Sequence, residues 1–399
     1  MVKIPVDNCC GCTACFNACP QNLIRMEPDV EGFLYPSVDT EKCIHCNLCE
    51  KVCPAHNLKA ANNENKAKAY IVRTKNDADL LHSTSGGFTM PLANWIFQNQ
   101  GKVWAVTYDE NWRVCHMEFS SADESFNRTR GSKYVQSYLG DAFSRIKKEL
   151  DNGELVCFIG TPCQVYGLKH FLKDEYKNLL TVDLVCHGVP SPKLWEKYIQ
   201  YQEKTFNSKI RAINFRNKTY GYHSGTMLVE LESGKRYTGS ARVDLMLRSF
   251  FSEIASRPSC YQCDYKGKSR LSDFTIFDCW HMSELLDGKH DDDRGYTALL
   301  IHSEAGVKLF ELIRGSYEVY ETDADKVIAL DGIMVENSAV AHPRRSEFYT
   351  DIEKEDLLEH VKKYTGLRKK DFWIESTKTF AYKLGIMGVL RKIKKIINR

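Results

Sequence analysis

The sequence predicts a small α+β module at the front, an α/β body built on a partly parallel sheet, and a C-terminal amphipathic helix. Three observations carry that prediction. Nine of the 16 cysteines lie in the first 58 residues of a 399-residue chain. Short apolar runs separated by helical segments follow, as buried parallel strands require. The final residues alternate apolar and basic at helical spacing. A chain of this length holds two or three domains of about 100–200 residues each. The expected boundaries are 1–58 for the cysteine-rich module, 59–68 for a polar linker, 69–150 and 151–345 for two parts of the body, and 346–399 for a helical basic tail.

Composition excludes several classes. With 43% hydrophobic and 27% charged residues the chain is neither disordered nor fibrous. A net charge of +3, from 55 basic and 52 acidic side chains, gives no pull toward nucleic acid. No run approaches the roughly 18 apolar residues of a membrane span. Met1–Asn8 lacks a signal-peptide core, so a cytoplasmic protein with reduced, metal-binding thiols is expected.

Cys9, Cys12, Cys15 and Cys19 precede Pro20; Cys43, Cys46, Cys49 and Cys53 precede Pro54, each 34 residues after its counterpart. The doubled C-x2-C-x2-C-x3-C-P run is the bacterial ferredoxin pattern for two 4Fe–4S clusters, so the module is ferredoxin-like. Three close thiolates hold one face of a cube, and the fourth cysteine ligates the other cluster. That assigns Cys9, Cys12, Cys15 and Cys53 to one cluster and Cys19, Cys43, Cys46 and Cys49 to the other, with Cys10 left over. A pair of zinc sites is the alternative, since zinc also takes four thiolates at C-x2-C spacing.

In the body, residues 69–74, 102–108 and 114–119 read as strands and 87–98 as a helix. The runs 155–159 and 179–185, with a helical segment between them, read as a βαβ unit. Residues 226–232 and 235–238 read as a hairpin about Ser233–Gly234. A strand at 273–277 and an α/β pair at 296–301 and 304–313 complete the pattern.

The βαβ unit places chemistry. Cys163 falls at a helix N-terminus, where the dipole favours thiolate. Cys186 ends the next strand, and parallel neighbours expose their carboxyl ends on one side. With Cys260 and Cys263 they make four candidate ligands of a third cluster; two buried cysteines beside a zinc knuckle are the alternative. Ser83, Ser85, Gly86 and Gly87 form a small-residue loop before a helix, either a phosphate cradle or a plain N-cap turn. Cys115 and Cys157 alternate with apolar neighbours and read as buried small hydrophobes, whereas Cys279 is a spare thiol.

Taken together, Ser85-Gly86-Gly87, the run Arg130 to Ser137, Gly160-Thr-Pro-Cys163-Gln, Val185-Cys186-His187-Gly188, Phe215-Arg216-Asn-Lys218, the Cys260/Cys263 pair and Ser272 to Asp278 resemble the coenzyme F-420 hydrogenase/dehydrogenase beta-subunit family. The resemblance covers nearly the whole chain to about residue 350. It implies an iron–sulfur flavoprotein that moves electrons between a cluster and FAD, and in archaeal members onward to coenzyme F-420. It makes Cys163, Cys186, Cys260 and Cys263 ligands of a third 4Fe–4S cluster, and the Ser83–Gly87 loop part of an FAD phosphate cradle. One departure is Phe277, where members usually carry glycine before Asp278.

A flavin suits the chemistry, because it joins one-electron clusters to two-electron substrates. His187 is the candidate proton donor or, alternatively, a structural histidine. Lys133, Arg130, Arg216 and Lys218 are candidates to bind phosphate or a reduced-flavin anion, against solvated surface charge. Lys133 and His187 are the catalytic candidates, and Asp278 joins the cofactor-binding set. The expected function is an iron–sulfur flavoprotein oxidoreductase serving a redox protein or small electron carrier. A coenzyme F-420-dependent dehydrogenase and a non-catalytic electron-transfer subunit are the alternatives.

Residues 381–399 carry six basic and no acidic side chains, with Ile386, Leu390, Ile393 and Ile397 on one helical face. Such a helix fits either peripheral contact with anionic lipid or packing on protein.

Overall fold

The computed structural model of the chain describes residues 8–58 and 67–386. The front module contains one antiparallel hairpin, β1 (Ile24–Pro28) with β2 (Leu34–Val38), and short helices at Ala14–Ala18 and Leu48–Lys51.

The body is organised by one mixed sheet. Its strands are β3 (Lys68–Thr74), β4 (Lys102–Tyr108), β5 (Val114–Phe119), β6 (Val156–Gly160) and β7 (Leu179–Leu184). After β8 (Ile210–Asn217), β9 (Thr226–Leu231) and β10 (Arg236–Ser240), which form a separate antiparallel sheet, come β11 (Phe274–Asp278), β12 (Thr297–Ile301) and β13 (Tyr317–Thr322). The large sheet runs β13-β3-β12-β11-β7-β6-β4-β5. Its four central strands, β11, β7, β6 and β4, are parallel, and their outer neighbours pair antiparallel.

Both faces of the sheet are covered. Along β6, Cys157 and Ile159 join one apolar cluster with Leu92, Ile96 and Phe310; Val156 and Phe158 join another with Phe143, Val165 and Leu168. A period-two strand between helices gives this split. Cys115 and Cys157 are buried, as small hydrophobes in these strands should be.

Several expectations shift. The 87–98 helix begins at Thr89, and a short helix, Asp77–His82, separates β3 from the Ser83–Gly87 loop. Strands β1, β2, β8 and β13 had no clear signature. Phe277 is buried in a core with Met282 and Ala298, and Cys279 is buried there too, so neither ring nor thiol is free. The segment read as a tail from residue 346 enters the core instead. Helices Arg345–Asp351 and Leu357–Thr365 bury Phe348, Val361 and Tyr364 beside Leu194 and Tyr198. Most of the basic end, residues 387–399, lies outside the described residues.

The front module is packed onto the body. Arg345 grips Glu31 with two guanidinium nitrogens, Nη1 at 2.9 Å, and its Nε donates to Ser256 O at 2.8 Å. Ser191 Oγ donates to Glu31 O, and Lys193 Nζ to Val30 O at 3.2 Å. Helix Ala14–Ala18 lies on helices Ala142–Asp151 and Pro162–Leu172. Gly32 makes this fit possible: with φ +88°, a Cβ there would meet Lys193 Cβ at 2.4 Å.

Candidate functional site

Two cavities in the front module hold the ferredoxin-pattern cysteines. One is lined by Cys9, Cys12, Cys15 and Cys53; the other by Cys19, Cys43, Cys46 and Cys49. Each contains the displaced fourth cysteine of the other run, the crossed arrangement that the spacing assigns. Among the described residues, no three His, Cys, Asp or Glu side chains converge tightly enough to hold a single metal ion. The first cavity faces the body and its thiols are buried, whereas Cys46 of the second is exposed. Burial pushes the Cys53 thiol up to about 11 and raises Cys15 further, so loading with metal must displace protons.

The third group follows from strand register. Gly160 of β6 pairs with Asp183 of β7, and Cys163 and Cys186 each lie three residues beyond. Pro162 opens the helix that carries Cys163, and Gln164 Oε1 accepts from Thr161 N at 2.9 Å. A turn at Pro258–Gln262 brings in Cys260, whose Cβ lies 3.5 Å from where a Gly188 Cβ would stand. Cys263 senses both Cys186 and Cys163, and Cys260 senses Cys186. Burial raises Cys260 to about 12 and Cys263 to about 11.

Cys10, left over in the sequence, is in contact with this group. Its thiol meets Tyr265 OH at 3.5 Å and interacts electrostatically with Cys12 and Cys163. It therefore sits between the first cavity and the third group. The shared protons push Cys10 well below the usual thiol value, and Cys12 and Cys163 well above it. The helix dipole expected to favour a Cys163 thiolate is outweighed by Cys10 and by burial.

Lys266, which spacing did not single out, donates to Cys186 O and to Met334 O (2.7 Å). His187 Nε2 bonds Glu253 Oε1, with Phe250 and Phe251 against the ring.

The expected flavin-binding residues divide into two groups. Ser83 Oγ donates to Asp79 O at 2.6 Å, while Gly86 N and Ser85 Oγ bond Thr297 Oγ1 at 2.9 and 2.8 Å. A Cβ at Gly86 would meet Val72 O at 2.4 Å and Thr297 N at 2.5 Å, so this glycine seats the loop between β3 and β12. Gly87, at φ +74°, turns the chain into the next helix. Arg130 pairs with Asp79 at 2.9 Å, and Lys218 Nζ donates to Leu80 O and Ser85 O at 2.7 and 2.6 Å. These charges brace the loop. Burial brings Lys218 down to about 7.

The second group stands at the sheet edge. Two residues beyond the registered pair Ile276–Leu184 come Asp278 and Cys186. Asp278 accepts from Tyr222 OH at 3.0 Å and from Arg216 Nη1 at 3.4 Å. Burial works against the Arg216 charge, but Tyr134, Asp278 and Tyr222 outweigh it and keep it protonated. Arg216 also faces the Trp280 ring at 4.9 Å, Trp280 stacks on Tyr222 at 4.3 Å, and Arg216 Nη2 is buried without a partner among the described residues. Such an orphaned donor, between aromatic faces, fits an anionic or carbonyl-rich planar ligand. Lys133 is partly exposed along its stem, but its amine turns inward to Thr129 O and Gly131 O at 3.2 and 3.4 Å. Burial lowers it to about 7.

Known proteins bear on this arrangement. Residues 153–326 match the family model for the C terminus of the coenzyme F420 hydrogenase/dehydrogenase beta subunit, and residues 8–57 match a 4Fe–4S dicluster domain. A chain in a solved structure of the F420-reducing [NiFe] hydrogenase complex from Methanosarcina barkeri superposes with a TM-score of 0.43 at 16% identity, covering 76% of this chain and 93% of that one. No curated protein sequence matches. The two family matches describe an iron–sulfur electron-transfer protein related to hydrogenase and dehydrogenase beta subunits, and thereby to oxidoreductases. Among the described residues no helix is long and apolar enough to cross a membrane.

Two predictions follow from the packing. A Cβ at Gly167 would meet Cys12 Cβ at 2.7 Å and Sγ at 2.8 Å. Gly167→Ala is expected to cost about 1–3 kcal/mol by overpacking and to release iron from one front cluster. A variant with wild-type melting temperature and iron content would show that this helix does not bear on Cys12. The Lys133 amine should be acylated with a midpoint of about 7, read by peptide mass spectrometry across pH, rather than the roughly 10.4 of a solvated lysine. The folded state binds this proton less well than the unfolded chain, so stability should rise with pH between those values and level off above them. A midpoint at the solvated value would refute the burial of the amine.

Proposed function

We propose that the chain is an iron–sulfur flavoprotein oxidoreductase, exchanging electrons among two front-module clusters, a third cluster at Cys163, Cys186, Cys260 and Cys263, FAD, and a small two-electron partner. The observation that carries this reading is the common edge where β6, β7 and β11 end, with Cys163, Cys186 and Asp278. Bound there, a flavin would supply the conversion between one-electron and two-electron chemistry.

The protein's own groups have distinct tasks. The four cysteines hold the third cluster, and Lys266 fixes the Cys186 backbone while placing a cation beside it. Arg216, Asp278, Tyr222 and Trp280 orient the planar cofactor. The loop at Ser85–Gly87, braced by Lys218 and Thr297, closes one side of that site. His187 and Glu253 hold a proton next to Cys186, and Lys133 is poised near neutrality as a second proton site. A second reading, an electron-transfer subunit whose catalysis lies in another chain, is favoured by the words "beta subunit" in the matched family.

Anaerobically purified protein should be brown, carry about twelve iron atoms as three cubes of four, and release FAD on denaturation. Cys163→Ala should lose about four of those irons and leave the front pair; retention of all of them would remove the third cluster. Reduced deazaflavin, NADH and reduced ferredoxin are the donors to compare. Turnover with none of them, while the flavin still reduces, selects the subunit reading.

Peripheral contact with anionic lipid belongs to the same proposal. On helix Lys369–Lys383 and at its end, Trp373, Phe380 and Leu384 are exposed, while Asp371 and Glu375 are buried against the body. The outward face is thus apolar and basic, and the basic sequence continues to Arg399. The protein should co-sediment with vesicles containing phosphatidylserine, and truncation after Thr379 should abolish this; equal binding by the truncated chain would refute it.

A further inference from the structure

The body places a fully buried guanidinium against the first cluster loop. Arg257 is 0% exposed. Its Nε donates to Cys9 O at 2.6 Å and its Nη1 to Leu34 O at 3.1 Å, and the guanidinium lies 3.8 Å from the Tyr35 ring centre. Its own backbone N–H is fixed on Val189 O at 3.0 Å, so the side chain is anchored at both ends. Beside it, Gln136 accepts from Leu34 N at 3.0 Å and, through its backbone, donates to Pro190 O at 2.9 Å. Both side chains crowd Gly11, midway between Cys10 and Cys12. A Cβ there would stand 2.4 Å from Gln136 Nε2 and 3.1 Å from Arg257 Nη1.

Two of these donors lack acceptors. Arg257 Nη2 and Gln136 Nε2 are buried with no hydrogen-bond partner among the described residues. Leaving buried donors unpaired is costly, most of all for a charged one, so an acceptor is expected where they crowd the loop. The sulfur atoms of a cluster held by Cys9, Cys12, Cys15 and Cys53 are of that kind, and hydrogen bonds and charge at sulfur set cluster potentials. The linings of both cavities hold no lysine or arginine. What distinguishes the first is Arg257, which lies behind the loop and bonds the backbone of Cys9, whereas Cys46 of the second cavity is exposed.

We propose that Arg257 and Gln136 raise the reduction potential of the inner front cluster, at Cys9, Cys12, Cys15 and Cys53, above that of the outer one. A buried positive charge favours the reduced cluster, which carries one more negative charge. An electron arriving at the outer cluster is thereby drawn inward, toward Cys10 and the third group. The inference rests on the proposed electron path only for the meaning of that direction; the potentials belong to the front pair alone.

The test is an electron-paramagnetic-resonance-monitored redox titration of the full-length protein. Cys46→Ser, which alters the outer cluster, identifies which signal is which. Wild type should show the inner cluster as the more easily reduced. Arg257→Gln should weaken its hold on the electron about tenfold, 59 mV for a one-electron couple, and leave the outer cluster unchanged. Arg257→Lys keeps charge but loses the fork and should fall between. Gln136→Leu should shift the same signal the same way by less. If Arg257→Gln loses iron, Arg257→Lys and Gln136→Leu decide. Unchanged potentials in iron-replete variants, or a shift confined to the outer cluster, would overturn the proposal. Iron and flavin counts report on the third cluster and FAD separately, so failure here leaves that reading standing and failure there leaves this one.

Discussion

The parallel register of β6, β7 and β11 is the constraint on which the rest of the molecule depends. Parallel pairing requires a crossover between strands, and between β6 and β7 the crossover is the helix that carries Cys163. Because Gly160 is abreast of Asp183, and Ile276 of Leu184, the chain leaves all three strands at one level. A one-residue slip would exchange the two faces of each strand and move Phe158 and Cys157 into each other's clusters. The apolar layers on both sides thus fix the register, and the register fixes which side chains meet at the edge. The outer antiparallel strands contribute no cysteine ligand. They extend the sheet and, through Thr297 at the start of β12, hold the Ser85–Gly86 loop down.

The front module is joined to this edge by close packing rather than by its linker. Three glycines mark the approach: Gly11 under Gln136 and Arg257, Gly32 against Lys193, and Gly167 against Cys12. At each, a methyl group would fall inside contact distance. Electron transfer depends steeply on separation, so a seam that tolerates no side chain favours passage between the first cavity and the third group. Cys10 lies in that seam, bonded to Tyr265 OH and electrostatically linked to Cys12 on one side and Cys163 on the other. The ion pair between Glu31 and Arg345 ties the far side of the module to a helix near the end of the body.

What the sequence disclosed was local. Fixed spacing between cysteines expresses the reach of a short loop round a cluster, and the same four thiols line each cavity. The long apolar strands were legible because burial on both faces leaves few polar residues. Strands β1 and β2 each contain proline, β13 carries two glutamates three residues apart at the sheet margin, and β8 is irregular and arginine-containing, so none stands out. Charges were legible only in part. Arg130 and Lys218 read as phosphate ligands because a sequence gives a charge without its partner, and the structure pairs them with Asp79 and backbone carbonyls. Arg257 and Cys10 carried no signal at all, since each acquires meaning only through a contact made across the chain.

The segment from Ser256 to Arg270 unites these themes. It holds one short turn, Pro258–Gln262, and otherwise lacks regular structure, yet it supplies Cys260 and Cys263, the cation Lys266 and the cation Arg257. Hydrogen bonds substitute for a helix or strand. Ser256 bridges Pro190, Tyr261 OH donates to Glu253 O at 2.6 Å, and Arg270 donates to Tyr265 O at 2.8 Å and Val335 O at 3.1 Å. An irregular path suits this position, because a helix or strand repeats its side-chain directions and could not send Arg257 to the first cavity and Lys266 to Cys186 within ten residues. One stretch of chain therefore sets the charge at the inner front cavity and at the third group together. Any movement of it would alter both, which couples the electrostatics of the two sites to a single loop.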